Sequence, residues 1–204
     1  MCTAEQKDFA TNPKAFMERH LVVVPKEINT KIVGRGYTLA EFYIEMDNTS
    51  GVFILNTTIG VSNRPKHYVI AYWCPYEKDG TGKIVVGNYA DYMFTAKLDG
   101  CTFGVGRPTD HGEVLVCHAN RSAAGNKYAS EGIPAATAAV KKAQLKGVQK
   151  ALGKGEITGL LETDIKHWAT VIGVSTPWGK WDFYYQDYSG NKFEGLKPFS
   201  MPLL

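Results

Sequence analysis

No run of apolar residues in this chain approaches the roughly 20 needed to span a bilayer as a helix, so no membrane span is expected. The opening segment, Met1 to Asp8, has no basic stretch followed by an apolar one and does not read as a signal peptide. Cysteine is sparse: four in 204 residues, irregularly spaced, which is not a disulfide framework and points to manufacture in a reducing compartment. Charge of one sign is lacking too. A net +3 is too small to argue for nucleic acid or an anionic membrane surface as a partner. Neither an internal repeat nor a low-complexity linker divides the chain, so residues 1–204 are expected to form a single domain.

What is present is the composition of an ordinary soluble globular chain, 44% hydrophobic and 21% charged. A chain of this length hides roughly 70% of its unfolded surface and so can build a sizeable core. Aromatics at 12% and 21 glycines lean towards strands and turns. Glu5 to His20 reads as one or two short helices, with Asn12 placed to cap the second and Pro13 in its first turn. Val52–Ile59, His67–Trp73, Lys83–Val86, His167–Val174 and Trp181–Gln186 read as strands, whereas Tyr37–Met46 suits either helix or strand. Ala135–Leu152 is the one clear helix. Val140, Leu145, Val148 and Leu152 give it an apolar stripe, and four lysines give it a solvated face. Strands on both sides of a single strong helix, mostly in hairpins, suggest an α+β fold: a mixed, mostly antiparallel β-sandwich flanked by helices.

The chemistry concentrates in Leu98 to Asn120. Two apolar, β-branched runs flank Arg107-Pro108-Thr109-Asp110-His111-Gly112, which is turn chemistry, so a β-hairpin is expected. With a four-residue loop over Pro108–His111, Val105 would face Val114, Phe103 would face Val116 and Cys101 would face His118. Opposed residues have Cβ atoms roughly 4.5–5.5 Å apart. A thiol and an imidazole would then lie side by side, where an imidazolium lowers the thiol pKa and the imidazole shuttles its proton. The plainer reading of Cys101 is a buried core thiol. Gly100 before it permits unusual backbone angles, and Gly104 and Gly106 strip one face of the strand, which favours a site over mere core. Asn120 falls on the same face as His118 if the strand continues, and a Cys-His-Asn trio is known chemistry. Nothing in the sequence assigns it a role.

Other constellations are weaker. Cys74, Cys101, Cys117 and His118 lack the C-x₂₋₄-C spacing of structural zinc sites, and Cys117 and His118 as neighbours point to opposite faces of a strand. Cys74 and His67 lie seven apart on one strand, about 23 Å when extended, too far for a dyad. Trp168, Trp178, Trp181, Tyr184 and Tyr185 read as sheet packing, with a sugar- or peptide-binding surface as the alternative.

Leu98-Asp99-Gly100-Cys101, with a histidine ending the next strand, resembles the catalytic domain of the cytotoxic necrotizing factor toxins and the related Burkholderia lethal factor. The hallmark of that family is Leu-Ser-Gly-Cys, and Asp99 stands here in place of the serine. The resemblance covers the block from about Phe94 to Asn120. It implies a mixed β-sandwich flanked by helices and a cofactor-free glutamine deamidase. Cys101 would be the nucleophile and His118 the acid and base. Thr95 occupies the position of a threonine that the lethal factor carries six residues before its cysteine. The implied partner is a host protein presenting a glutamine, such as a Rho-type GTPase or a translation initiation helicase. Without a signal peptide, a secretion machine or a partner would have to deliver the chain. Two other readings stay open: a Cys-His peptidase or amidase, and a non-enzymatic β-sandwich binding module.

Overall fold

The computed structural model describes residues 3–36, 38–163 and 167–199. Two short helices open the chain, α1 (Ala4–Thr11) and α2 (Pro13–Arg19). Thr3 and Gln6 close a capping box on the first, and the Asn12 side chain accepts from Ala15 N at 3.0 Å to start the second. The sequence placed this cap correctly. Strand β1 (Val22–Val23) and helix α3 (Glu27–Val33) follow; the sequence showed only weak signals there. Then come β2 (Leu39–Asp47), β3 (Val52–Thr57), β4 (Val69–Cys74), β5 (Thr81–Val86), β6 (Tyr92–Thr95) and β7 (Leu98–Asp99). The ambiguous stretch before Met46 is therefore strand over its described part.

Strands β8 (Thr102–Gly106) and β9 (Val114–Ala119) form the expected hairpin. A 3-10 helix (Ser122–Glu131) follows, and α4 (Ile133–Leu152) is the long helix. The chain closes with β10 (Ile157–Glu162), which had no clear sequence signal, β11 (Trp168–Ser175), β12 (Trp181–Ser189), β13 (Lys192–Phe193) and β14 (Lys197–Pro198). The tail expected over Pro198 to Leu204 lies outside the described residues beyond position 199.

The strands assemble into two sheets. The larger runs β1-β3-β2-β4-β6-β11-β12-β13, with β7 on β11 and β14 on β12; the smaller runs β10-β8-β9-β5. Every pairing is antiparallel except β1 with β3 and β4 with β6. The fold is thus α+β and mostly antiparallel, as the strand pattern indicated.

Alternation along the strands sorts side chains into three apolar layers. Phe9, Phe16, Met17, Ile28 and Ile32 pack helices α1 to α3 on one face of the large sheet, against Phe42, Ile44, Leu55, Trp73 and Phe94. Between the sheets lie Met93, Leu98, Cys101, Phe103, Val116, Val171 and Phe183. Beyond the small sheet, Cys117 and Ala119 meet Val148 and Leu152 of α4. The order is helices, large sheet, small sheet, helix.

The outer face of β8 overturns one sequence inference. Gly104 is not bare for a substrate; α4 fills the space. A Cβ at Gly104 would lie 2.6 Å from Val148 Cγ1 and 3.2 Å from Cys117 Sγ, so the glycine exists for close approach of the helix. The buried face of α4 also differs from the expected stripe: Gln144, Gly147, Val148 and Leu152 are buried, whereas Val140 and Leu145 are only partly so. Gly104→Ala should destabilise the fold by about 1–3 kcal/mol through overpacking, measured as a lowered urea midpoint with an unchanged slope.

Candidate active site

The chain crosses from one sheet to the other at Gly100-Cys101. Strand β7 belongs to the large sheet through β11, and β8 begins the small sheet at Thr102. Gly100 makes the crossing with φ 65°, left-handed backbone that a side chain would strain. Cys101 therefore lies in the bend before the strand, not within it. Gln144 of α4 brackets the bend, its Nε2 donating to Gly100 O at 2.7 Å while its Oε1 accepts from Thr102 Oγ1 at 2.9 Å. Thr163 braces the other side. Its Oγ1 accepts from Cys101 N at 3.1 Å, and its own N donates to Cys101 O at 3.0 Å.

The hairpin register differs from the expected one by two residues. Phe103 faces His118 and Val105 faces Val116, because the loop consumes Arg107 to Glu113 and not four residues. Thr109 N donates to Glu113 O inside that loop, and Arg107 N is drawn off to Glu156 O. A slip of two keeps every side chain on its face, whereas a slip of one would have inverted them. So Cys101 and His118 still share the inter-sheet layer, but the residue across from Cys101 is Asn120. Its Nδ2 donates to Cys101 Sγ at 3.3 Å. Among the described contacts, the sulfur's other partner is Asp99 O, at 3.6 Å.

His118 projects from β9 across the gap towards Thr95 at the end of β6, so one residue of each sheet meets in the middle. Thr95 Oγ1 and His118 Nδ1 are 2.8 Å apart. The Thr95 hydroxyl donates its proton to Cys74 O at 2.9 Å, so towards the ring its oxygen can only accept. The network therefore assigns the proton to Nδ1 and the free lone pair to Nε2. Among the described residues that Nε2 is buried and has no hydrogen-bond partner. Burial drives the His118 pKa down to about 3, and the Lys26 charge pushes the same way, so the imidazole is neutral at pH 7. The ring is thus neutral with Nε2 bare, not an imidazolium that pre-ionises the thiol, and the same burial lowers the proton affinity of Nε2.

Both Cys101 and His118 are 0% exposed. The half-buried Tyr76 ring packs edge-on against the imidazole at 5.3 Å between centroids. Lys26 Nζ lies 5.2 Å from the Tyr76 ring and 3.6 Å from Asp99 Oδ2, linking this ring to the residue before the bend. Asn29 of α3 fixes the Tyr76 backbone, accepting from Tyr76 N at 2.8 Å and donating to Tyr76 O at 2.8 Å. The other two described thiols are poor nucleophiles. Burial raises Cys117 to about 12 and, with Cys117 itself adding to the effect, raises Cys74 well above its ordinary value.

Sequence reading reached Cys101, His118 and Thr95, and it noted Asn120 from its offset of two along the strand. It missed Gln144, Thr163, Tyr76 and Lys26. These come from α4, the unrecognised β10 end and the loops beside β4, and no local pattern ties any of them to position 101.

No family model and no curated protein matches the chain. Among solved structures it is similar to the C-terminal domain of CNFy from Yersinia pseudotuberculosis, at 13% identity over 80% of this chain and 73% of that one, with a TM-score of 0.37. A score that low bears neither on the reaction nor on the site. No described helix is long and apolar enough to cross a membrane.

The depressed His118 pKa has a consequence for stability. Between its ordinary 6.5 and about 3, the unfolded chain takes up a proton that the folded chain does not. Its contribution to stability is therefore present above pH 6.5 and lost progressively as pH falls through that window. Urea unfolding of His118→Gln should show a flatter pH dependence there, by up to about 1.4 kcal/mol per pH unit; equal slopes in variant and wild type would mean that His118 titrates normally in the fold.

Proposed function

We propose that the chain is a single catalytic domain, a toxin-like protein glutamine deamidase that uses Cys101 as nucleophile, His118 as general base and acid, and Thr95 to orient the imidazole. The observation that carries the reading is the Thr95–His118 hydrogen bond of 2.8 Å, which commits Nδ1 and leaves Nε2 bare in the layer that holds the Cys101 thiol. A core histidine ordinarily satisfies both ring nitrogens. One left open on the strand face that also carries Asn120, the partner of the Cys101 sulfur, is arranged for proton transfer. The Leu98-Asp99-Gly100-Cys101 block and its resemblance to the necrotizing factor family select side-chain carboxamides as substrate over peptide bonds.

The steps balance with the chain's own groups. His118 Nε2 takes the Sγ proton as sulfur adds to the carboxamide carbon, and the carbonyl electron pair moves to oxygen. Collapse breaks the C–N bond, and ammonia leaves with the proton from Nε2. Water then adds to the thioester, giving its proton to Nε2, and the C–S bond breaks as sulfur takes that proton back, leaving the glutamic acid side chain, which ionises to glutamate. Both residues are buried, so a glutamine side chain reaches them only after a local opening of the fold. The partner that fits is a protein of another cell's cytosol with an exposed, flexible glutamine, reached through a dedicated delivery route.

The test is incubation with mammalian cytosolic extract, reading released ammonia and glutamine-to-glutamate conversion by peptide mass spectrometry. Wild type should release ammonia without chain cleavage. Cys101→Ser should abolish release, and His118→Ala should lower its rate about 10²- to 10⁴-fold. Peptide cleavage without ammonia would replace this reading with a Cys-His peptidase. A Cys101→Ala protein that folds and retains full effect on cells would replace it with a binding module.

A further inference from the structure

We infer that Asn120 supplies the side-chain N–H that holds the oxyanion formed when Cys101 Sγ adds to a carbonyl group. The inference rests on the nucleophile assignment proposed above and adds a residue to it. In cysteine and serine enzymes the donor is commonly a backbone N–H near the nucleophile, often that of the nucleophile itself. Here that donor is unavailable, because Cys101 N is committed to Thr163 Oγ1 at 3.1 Å. Asn120 Nδ2, 3.3 Å from Sγ, is the side-chain N–H donor in contact with the sulfur among the described residues.

The orientation of this amide is set by its surroundings. Its Oδ1 accepts from Asp79 N at 3.2 Å and Ser122 N at 3.4 Å, which directs the NH₂ end at the sulfur. The Asn120 backbone is tied as well, donating to Gly80 O at 2.9 Å. Asp79, at φ 53°, is held in turn: its carboxylate accepts from Ala123 N at 2.7 Å and Ser122 Oγ at 2.9 Å, and the Arg121 guanidinium donates to its carbonyl. Asn120 is only 6% exposed, so the donor acts where water does not compete. A donor already fixed against the attacking atom needs no reorganisation when charge appears on the adjacent oxygen. On addition the Sγ–C bond forms, the carbonyl electron pair moves to oxygen, and Nδ2–H passes from sulfur to that oxygen while the thiol proton goes to His118 Nε2.

The full chain is treated separately with p-nitrophenyl acetate, whose attack by sulfur passes through an oxyanion and expels p-nitrophenolate, and with iodoacetamide, which alkylates at saturated carbon without one. Reaction at Cys101 is followed by mass spectrometry in wild type, Asn120→Ala and Asn120→Asp, and thermal unfolding checks the fold. The aspartate keeps an acceptor for the Asp79 and Ser122 N–H groups while removing the donor. The ratio of acylation to alkylation rate cancels any change in thiolate fraction, and it should fall about 10²- to 10³-fold in both variants. An unchanged ratio, including a parallel loss of both reactions, overturns the role of Asn120 and leaves Cys101 as nucleophile. Failure of Cys101 to react with either reagent in wild type overturns the nucleophile assignment itself.

Discussion

The crossing of the chain between its two sheets at Gly100-Cys101 is the constraint on which the rest of the molecule depends. Strand β7 is held to the large sheet by β11, and β8 is held to the small sheet between β9 and β10. Only a left-handed residue turns the backbone sharply enough to join them, and Gly100 supplies it. Everything that braces the crossing comes from a different layer: Gln144 from the outer helix and Thr163 from the end of β10. The cysteine is thereby delivered to the gap between the sheets with both of its backbone polar groups already satisfied.

That gap is where the polar chemistry is concentrated within an otherwise apolar interior. Thr95 from the large sheet and His118 from the small one meet across it, and Asn120 continues the same face of β9 to reach the sulfur. Burial has opposite consequences for neighbouring groups. It keeps the imidazole neutral, while it raises the Cys74 and Cys117 thiols and so keeps them protonated. The same burial leaves Cys101 and His118 with no exposed surface, while Tyr76 packs on the imidazole and Lys26 pairs with Asp99. Asp99 replaces the serine of the motif that the block resembles, so the departure from that motif coincides with the ion pair beside the bend.

Much of this was legible from local signals. The Asn12-Pro13 cap, the β8–β9 hairpin, the long helix and the mostly antiparallel sandwich all follow from turn chemistry and apolar periodicity, which act within a few residues. Strand β10 was not legible, since its third residue is Gly159, which signals no strand by itself and where a Cβ would lie 3.2 Å from Val105 Cβ. The hairpin register was off by two because Arg107 N finds Glu156 O, a partner about 50 residues away that no local count of loop length can include.

The sequence alone determined which residue types could do chemistry and on which face of their strands they lie, because a period of two depends only on position along the chain. It could not determine their partners. Tertiary structure decided that Gly104 of β8 admits a helix and not a substrate, and that Asn120 takes the place opposite Cys101. It also decided that the imidazole is neutral, since desolvation and hydrogen-bond commitment depend on what the other layers bring to the same few ångströms.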